Sequence, residues 1–367
     1  MFWGRTIVKW TMLAANLMAA LLLVGALLSS HISPDKVIYL AYLNLIFPLI
    51  IITNVAFVVF WAFLRKWYFL ISATLLVFSI KQINVTFPLN LGTSDNKTEV
   101  NKSITILTYN TRMCGSVKKP LKNKPNKVLK YIKDTNADIV CLQEFTTYKN
   151  DNYLTGKDID SLFRNYRYKY IYYKIETRYE RLGVAIFSKY PIINKKAINY
   201  RSNSNSSVYA DIKVGDQIIR VFNNHLESNR ITENDKEMAK SLKNNLDAHN
   251  ISGVTIHFSR KLATAYRLRA KQVDMVRDEI KKSPYKMIVC GDFNDVPTSY
   301  AYTQIKGNLL DAFTEKGTGF GWTFYDRFYH FRIDYILYDA TFSPLQYKMD
   351  KVKYSDHYPV FCKMKIR

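Results

Sequence analysis

Met287–Asp295 reads MIVCGDFND: a short apolar run is followed directly by Asp292 and Asn294. A run of this length, ended by a glycine, is typical of a β-strand. Strand ends lie at the rim of a sheet, where loops converge and catalytic groups gather. The spacing of two residues puts both polar side chains on one side if the backbone stays extended. The segment therefore predicts a polar site at the end of a strand.

The same arrangement of an apolar run and a polar cluster recurs along the chain. The other clusters are Asn110 in LTYN, Glu144 in CLQEF, His225 in FNNHLES and Asp356-His357 in YSDHYP, each at the end of a β-like run, and Asp334 in FRIDYIL, inside or at the start of one. Each cluster alone is more often a surface or capping group. Their joint occurrence, without a Ser-His-Asp or cysteine nucleophile motif, indicates a site for acid–base or metal chemistry.

Strands and helical segments alternate between these clusters. Helical spacing occurs at 126–134, 235–250 and 262–280, with a break expected at Ser252-Gly253. The strands are expected at 104–109, 138–145, 183–188, 208–214, 218–225, 287–290, 333–338 and 360–364. Their number predicts two facing sheets with helices outside, a four-layer α/β arrangement.

The first 86 residues differ from the rest, because they are nearly free of charge. Apolar stretches at about 7–30, 37–63 and 67–86 predict three transmembrane helices. The polar stretch 87–103 is expected to be a linker, and 104–367 a water-soluble domain.

The basic residues near the span ends predict the orientation of the chain. Arg5 and Lys9 precede the first span, and Arg65-Lys66 lies between the second and third. We therefore expect an integral membrane protein with a cytoplasmic amino terminus and an extracytoplasmic soluble domain, on the periplasmic side in a bacterium. A transporter or sensor is a weaker alternative, because only Lys9 and Lys81 are charged in the spans, both near ends.

The net charge of +23 favours an anionic partner or an anionic membrane surface, and solubility alone would explain it equally well. The four cysteines show no CxxC pairing, so buried free thiols are expected. No obligate protein partner is indicated.

In sequence order, TYN, LQE, NHL, GDFND, RIDYIL and SDHYP resemble the motifs of the endonuclease/exonuclease/phosphatase superfamily. That group includes pancreatic-type deoxyribonucleases, inositol polyphosphate 5-phosphatases and neutral sphingomyelinases. The resemblance covers residues 104–367. It implies a DNase I-like sandwich of two mixed sheets with outer helices, and a phosphoester hydrolase.

The resemblance also implies roles for the matching residues. Glu144 would be the main ligand of Mg²⁺ or Mn²⁺, with Asn110 and Asp356 contributing. Asp292 would orient and deprotonate the attacking water, and Asn294 would hold the phosphate or that water.

The remaining roles concern the phosphate. His357, fixed by Asp334, would donate to a phosphate oxygen, and His225 would donate from the opposite side. Asn224 is expected to bind the phosphate, and Arg332 either touches the anionic substrate or is merely solvated.

These roles predict a membrane-anchored, metal-dependent enzyme that hydrolyses a phosphodiester or phosphomonoester through an activated water. The substrate is then a phospholipid head group, a nucleic acid or a phosphorylated small molecule. One alternative is a metal-dependent endo- or exonuclease acting on extracytoplasmic DNA or RNA. Another is an inactive phosphate-binding or scaffold protein on the same fold.

Overall fold

The computed structural model describes residues 2–90, 103–115, 121, 124–241, 247–326 and 329–366. By backbone contacts these residues form two compact units. The helical unit comprises Met1–Thr86, Glu233–Ala270 and Val296–Gln304, and the sheet unit comprises Phe87–Thr232, Lys271–Asp295 and Ile305–Arg367.

The helices, in chain order, are α1 Phe2–Ser29, α2 Ile38–Leu43, α3 Phe47–Phe63, α4 Phe69–Phe78, α5 Ile80–Thr86, α6 Arg112–Gly115, α7 Lys127–Thr135, α8 Gly156–Leu162, α9 Glu233–Ser241, α10 Ala248–Lys281, α11 Tyr300–Lys306 and α12 Ala312–Lys316. The strands are β1 Ser103–Asn110, β2 Ile139–Tyr148, β3 Tyr168–Glu176, β4 Glu180–Ser188, β5 Ile192–Ile198, β6 Ser206–Val214, β7 Gln217–His225, β8 Lys286–Asp292, β9 Leu310–Asp311, β10 Phe324–Tyr325, β11 His330–Phe331, β12 Asp334–Tyr338, β13 Phe342–Met349 and β14 Val360–Ile366.

One helix in the described residues is long and apolar enough to cross a membrane, and it covers Thr6–Ser29. A second span exists only if α4 and α5, bent by 63°, are counted as one broken helix. The apolar helix α3 has 17 residues and falls just short. The expected number of three transmembrane helices is therefore not supported. The chain of the second predicted span is divided instead between the short helix α2 and α3.

Polar side chains lie inside the helical unit. Asn16 Nδ2 donates to Ser72 Oγ (2.6 Å), which donates in turn to Asn54 Oδ1 (2.9 Å). Trp61 Nε1 donates to Asn16 Oδ1 (3.1 Å), and all four side chains are buried. This network connects α1, α3 and α4 through hydrogen bonds that buried polar groups require.

The helix α10 continues without interruption through Gly253, so the expected break at Ser252-Gly253 was wrong. A single glycine costs a helix interior only about 1 kcal/mol. Contacts in the same unit offset that cost: Tyr266 packs on Ile38 and Ala41, and Tyr42 donates to the carbonyl oxygen of Ser259 (2.9 Å).

The sheet unit is built on two six-stranded mixed sheets. The first has the order β13-β14-β1-β2-β4-β3 and the second β5-β6-β7-β8-β12-β9. In each sheet one central pair is parallel, β1 with β2 and β7 with β8. The remaining ladders are antiparallel, and β10 and β11 form a separate two-stranded ribbon.

The two sheets face each other across an apolar core. Inward side chains of both sheets, such as Ile106, Cys141, Val221 and Ile288, belong to one buried cluster. On the outer face of the first sheet, α7 packs Leu129 and its neighbours against that sheet. The expectation of two mixed sheets with outer helices is thus confirmed. All four cysteines are buried and free, as expected.

The first residues of the predicted linker pack on the sheet unit. Asn90 Nδ2 donates to the carbonyl oxygens of Thr314 (2.9 Å) and Gly317 (2.6 Å), and Phe87 packs on Phe320. The rest of the predicted linker, 91–102, lies outside the described residues.

Candidate active site

Three of the predicted side chains lie side by side on three neighbouring strands of the second sheet. In the strand register His225 of β7 is opposite Asp292 of β8, and Asp292 is opposite Asp334 of β12. Register in a sheet places side chains of paired residues next to one another. All three are buried.

Gly291 allows β7 and β8 to approach closely next to Asp292. Its φ is +124°, and a Cβ atom there would lie 2.0 Å from the carbonyl oxygen of Asn224. Only glycine is compatible with that conformation and that contact. The glycine before Asp292 therefore has a structural role at the strand end.

Glu144 does not end its strand, as the sequence had suggested, but sits on a bulge within β2. The pairing with β4 shifts between Leu142 and Phe145, and Glu144 has a φ of +49°. Thr111 holds the bulge, because its backbone N–H donates to Gln143 O (2.9 Å) and its Oγ1 to Glu144 O (3.0 Å). Bulges redirect a side chain and are common beside active sites. The Glu144 side chain is 31% exposed.

Asn110, the last residue of β1, joins the two sheets at this site. Its Nδ2 donates to Asp292 Oδ2 (2.9 Å) and to Glu144 Oε1 (3.3 Å). Its Oδ1 accepts from the backbone N–H of Arg112 (3.1 Å). Asn110 thus orients both carboxylates by hydrogen bonds, and its oxygen, which accepts one backbone hydrogen bond, keeps a second lone pair.

Asn294 approaches Asp292 through a turn and not through extended backbone. Its φ is +54°, its N–H donates to Asp292 Oδ1 (2.8 Å) and its Nδ2 to Asp292 Oδ2 (3.2 Å). The condition of an extended backbone between the two residues is therefore not met. Their proximity was nevertheless correctly anticipated.

His357 forms a buried pair with Asp334. Its Nδ1 lies 2.8 Å from Asp334 Oδ2, and its Nε2 lies 3.7 Å from Asp292 Oδ2. Thr323 Oγ1 positions Asp334 by accepting from its backbone N–H (3.0 Å).

His225 approaches the same carboxylate from another direction. Its Nε2 lies 4.0 Å from Asp292 Oδ2 and 3.7 Å from Glu144 Oε1. This nitrogen is buried and makes no hydrogen bond to any described residue. Both imidazoles thus have Nε2 near one oxygen atom, Asp292 Oδ2.

The surroundings shift the pKa values of Asp292, His357 and His225 in different ways. Burial raises the pKa of Asp292 to about 6, although His357 counteracts it. Burial opposes the charged form of His357, but Asp334 and Asp292 outweigh it and raise its pKa to about 10. Burial lowers the pKa of His225. At neutral pH the site therefore holds an ionised Asp292 between a cationic His357 and a neutral His225.

Glu144 and Asp356 are chemically suited to a divalent cation. Burial and then the charge of Asp356 raise the pKa of Glu144, so the two carboxylates interact, and their side chains are 31% and 26% exposed. Among the described residues, the cation paired with Asp356 is Arg112, whose Nε lies 3.3 Å from Asp356 Oδ2. Closely placed carboxylate oxygens fit a hard cation such as Mg²⁺.

A different grouping of possible ligand atoms, within 4.8 Å of one another, consists of Asp292, Asp334 and His357. Within it, His357 Nδ1 already lies at hydrogen-bond distance, 2.8 Å, from Asp334 Oδ2. This group therefore fits an acid–base pair better than a metal site.

Two of the predicted substrate-binding residues lie elsewhere. Asn224 is on the opposite face of β7 from His225, because side chains alternate, and its Nδ2 donates to Cys290 O (3.1 Å). Arg332 is buried with Asp311, each side chain 1% exposed, with 2.8 Å between Nη1 and Oδ2. Its guanidinium also lies over the rings of Phe313 and Tyr335. Neither side chain is placed to bind a substrate.

Further positioning residues lie beside the motif residues, and of these Arg112 and Ser355 were not predicted. Arg112 pairs with Asp356, and Ser355 Oγ donates to the carbonyl oxygen of Asn110 (2.8 Å). Asn223 and Gln143 join the sheets in the interior, with Gln143 Nε2 donating to Asn223 Oδ1 (2.6 Å). In the sequence, only the position of Arg112 and Ser355 next to motif residues could have indicated them.

Comparisons with known proteins agree with this architecture. Residues 107–357 match the Endonuclease/Exonuclease/phosphatase family, and residues 9–86 match a domain of unknown function, DUF8431. A search of curated proteins gave no match. Among solved structures, the endonuclease/exonuclease/phosphatase of Beutenbergia cavernae DSM 12333 is 15% identical with a TM-score of 0.50 and covers 72% of each chain. That of Bacteroides vulgatus is 18% identical with a TM-score of 0.50, covering 72% of this chain and 99% of its own.

Proposed function

Since the chain belongs to the Endonuclease/Exonuclease/phosphatase family and is a hydrolase of phosphoester bonds, we propose that its reaction takes place around Asp292 Oδ2. The observation that carries this proposal is the convergence on that one oxygen. Asn110 and Asn294 donate to it, and the Nε2 atoms of His357 and His225 lie within 4.0 Å.

Asp292 is the general base in this proposal. A carboxylate with a pKa of about 6 is mostly ionised at neutral pH, yet binds a proton more readily than an ordinary aspartate. It accepts a proton from a water molecule as the water oxygen attacks phosphorus and the ester P–O bond breaks. Asn110 and Asn294 keep the carboxylate oriented toward that water.

The histidines act on the phosphate. His357 is a cation, and Asp334 holds its Nδ1 proton, so Nε2–H donates to a phosphate oxygen on which charge develops. His225 is neutral and its buried Nε2 has no partner among the described residues, so it is suited to donate a second hydrogen bond.

Glu144 and Asp356 would hold the divalent cation, Mg²⁺ or Mn²⁺, and Asn110 would orient Glu144. When bound, the ion would neutralise charge on the phosphate and help to order the substrate. The family is generally divalent-metal dependent, and the carboxylate pair supports the same requirement here.

The test is metal-dependent hydrolysis of bis-p-nitrophenyl phosphate by the full chain. We expect activity with Mg²⁺ or Mn²⁺, none with a chelator, and a loss of at least ~100-fold in Glu144→Ala and His357→Ala. Asp134→Ala, which removes an exposed carboxylate from α7, is the matched control and should keep full activity. Equal activity in all variants would disprove the assignment, and silence of the wild type would favour the inactive scaffold. A panel with DNA, RNA and lipids then identifies the substrate, and preferential cleavage of DNA or RNA would favour the nuclease alternative.

We further propose that the amino-terminal helices α1 to α5 are embedded in a membrane. Their large apolar side chains point outward, for example Phe63 (85% exposed), Leu21 and Phe78, whereas Asn16, Asn54 and Ser72 are buried. A water-soluble bundle has the opposite distribution. The apolar helix Thr6–Ser29 supports the same conclusion.

The proposed orientation has a cytoplasmic amino terminus and an extracytoplasmic sheet unit, on the periplasmic side in a bacterium. This orientation requires three crossings, with the 17-residue helix α3 as the second. Arg65 and Lys66 support it, because basic residues near spans favour the cytoplasmic side. A cysteine introduced at exposed Asp151 should react with an impermeant maleimide on intact cells. One at exposed Lys66 should react only after lysis. The reverse pattern would exclude the proposed orientation.

A further inference from the structure

Four side chains lie in one row across the second sheet, at the edge where the proposed reaction takes place. In the strand register Ser206 of β6 is opposite His225 of β7. His225 is opposite Asp292 of β8, and Asp292 is opposite Asp334 of β12. Side chains of directly paired residues point to the same face of a sheet. Ser206 is therefore the fourth member of this row, and the proposed reaction does not use it.

The hydroxyl of Ser206 is buried and makes no hydrogen bond to any described residue. The residue is 2% exposed. Two other atoms of the row, His225 Nε2 and Asp334 Oδ1, are likewise buried without a hydrogen-bond partner among the described residues. Buried polar atoms almost always have such a partner, because leaving one unpaired costs free energy. Three such atoms in one row therefore indicate that a polar group binds against it.

Ser207, the next residue along β6, points to the other face of the sheet and has an internal partner. Its Oγ lies 3.0 Å from Tyr200 Oη. Successive side chains of a strand alternate between the two faces. The two neighbouring serines thus differ: Ser207 contributes a hydrogen bond to the fold, whereas the hydroxyl of Ser206 is available to a ligand.

Hydrogen bonds hold Ser206 and His225 next to each other. Asn205, the residue before Ser206, donates from Nδ2 to the carbonyl oxygen of Leu226 (2.7 Å), and Tyr200 Oη donates to that of His225 (3.2 Å). The Cβ atoms of directly opposite residues in an antiparallel pair lie roughly 4.5–5.5 Å apart. One phosphoryl group, with hydrogen bonds of roughly 2.5–3.2 Å to each side chain, can span that separation.

The chemistry of this position favours substrate binding over covalent catalysis. A serine acts as a nucleophile when a histidine accepts its proton through a hydrogen bond, and Ser206 Oγ and His225 Nε2 make no such bond to each other. A hydroxyl can instead donate to an anionic oxygen, and hydrogen bonds to charged groups are stronger than those between neutral ones. In the proposed reaction, the anionic oxygens that reach this row belong to the phosphate.

We propose that Ser206 is a substrate-binding residue, which donates a hydrogen bond to a non-bridging phosphate oxygen beside the oxygen that His225 binds. This inference rests on the proposed phosphoesterase function and adds a residue to its binding site. The amino end of β6 thus supplies a third donor for the phosphate, in addition to His357 and His225.

The test compares hydrolysis of bis-p-nitrophenyl phosphate by the full chain and by its Ser206→Ala variant. We expect kcat/KM to fall by about 10–100-fold, the range typical of one hydrogen bond to a charged group. The urea midpoint, measured by pulse proteolysis, should stay the same or rise, because the hydroxyl has no partner to lose among the described residues.

Ser343→Ala is the matched control. Ser343 Oγ, on β13 of the first sheet, is also buried without a hydrogen-bond partner among the described residues. Ser343 and Ser103 both pair with Lys365, so Ser343 lies at the opposite end of the first sheet from Asn110. Removal of this hydroxyl should leave kcat/KM unchanged.

A double-variant cycle distinguishes binding by Ser206 from an effect exerted through His225. In the His225→Ala background, Ser206→Ala should still lower kcat/KM by at least about threefold. If the loss disappears in that background, Ser206 only positions His225 and the inference is wrong. It is equally wrong if Ser206→Ala keeps full activity, or if activity and urea midpoint fall together. In these cases the wild type still hydrolyses the diester, and the proposed function stands. Absence of hydrolysis by the wild type would instead contradict the proposed function, and the inference with it.

Discussion

Replacing Arg332 by methionine separates a structural role of this residue from substrate binding. The guanidinium and the carboxylate of Asp311 are both 1% exposed and 2.8 Å apart. Removing one partner of a buried ion pair leaves the other charge without compensation, which typically costs about 3–5 kcal/mol. The guanidinium also lies 4.6 Å from the ring centre of Phe313 and 4.8 Å from that of Tyr335, contacts worth about 0.5 kcal/mol or more each.

The expected loss for Arg332→Met is therefore about 4–6 kcal/mol in the free energy of unfolding. With a urea dependence of roughly 3 kcal/mol per molar for a unit of this size, the midpoint falls by about 1.3–2 M. Pulse proteolysis of the full chain across a urea series measures this shift. The exposed pair Lys130–Asp134 provides the control, because Lys130→Met should leave the urea midpoint unchanged.

The double variant Arg332→Met/Asp311→Asn should recover more than half of the lost stability. It removes the remaining buried charge, and the introduced amide keeps an oxygen that can accept from Phe313 N–H at the start of α12. The reasoning is refuted if Arg332→Met unfolds at the wild-type urea concentration while KM for the diester rises tenfold or more. Arg332 would then bind substrate, which is one of the two possibilities that the sequence left open.

Two further predictions concern protonation and backbone conformation. Asp334→Asn removes the main charge that raises the pKa of His357. In the folded protein this pKa is about 10, above the usual 6.5. The cationic form of His357 therefore contributes stability that is fully present below pH 6.5 and is lost as the pH rises through 10. In pH–rate profiles of the variant, the alkaline decline of kcat/KM should begin at least about two pH units lower, and an unchanged profile would show that Asp334 does not control His357. Gly291→Ala should destabilise the sheet unit by more than about 3 kcal/mol, because the new Cβ would lie 2.0 Å from Asn224 O. Gly215→Ala is the control. Gly215 has a φ of +60° but no atom lies within 4 Å of the new Cβ, so this change should cost only about 1 kcal/mol. Equal urea midpoints for these two glycine variants would contradict the close approach of β7 and β8.

Local patterns in the sequence were sufficient to predict most of the strands and helices of the sheet unit. Alternation with period two and apolar runs identified the central strands, including those that end at Asn110, His225 and Asp292, because burial on a sheet face imposes that period. The order of the six motifs also anticipated which side chains meet, since strand ends share one rim. Their chemical roles remain predictions.

Other features depend on contacts between residues distant in the chain. The bulge at Glu144 arises from a register shift against β4. The break expected at Gly253 did not occur, because packing of α10 outweighs the local cost of a glycine. Membrane-span counts from hydropathy likewise did not anticipate the short helix α2 or the bend between α4 and α5.

The sequence by itself determined the residue types of the site and the strands that carry them, because these follow from short-range periodicity. Only the tertiary structure decided that Arg332 is enclosed with Asp311, and that His357 is cationic while His225 is neutral. Only it placed the hydroxyl of Ser206 beside His225. The physical reason is that burial and charge interactions act through space, so a side chain's environment is set by strands that the local sequence does not encode.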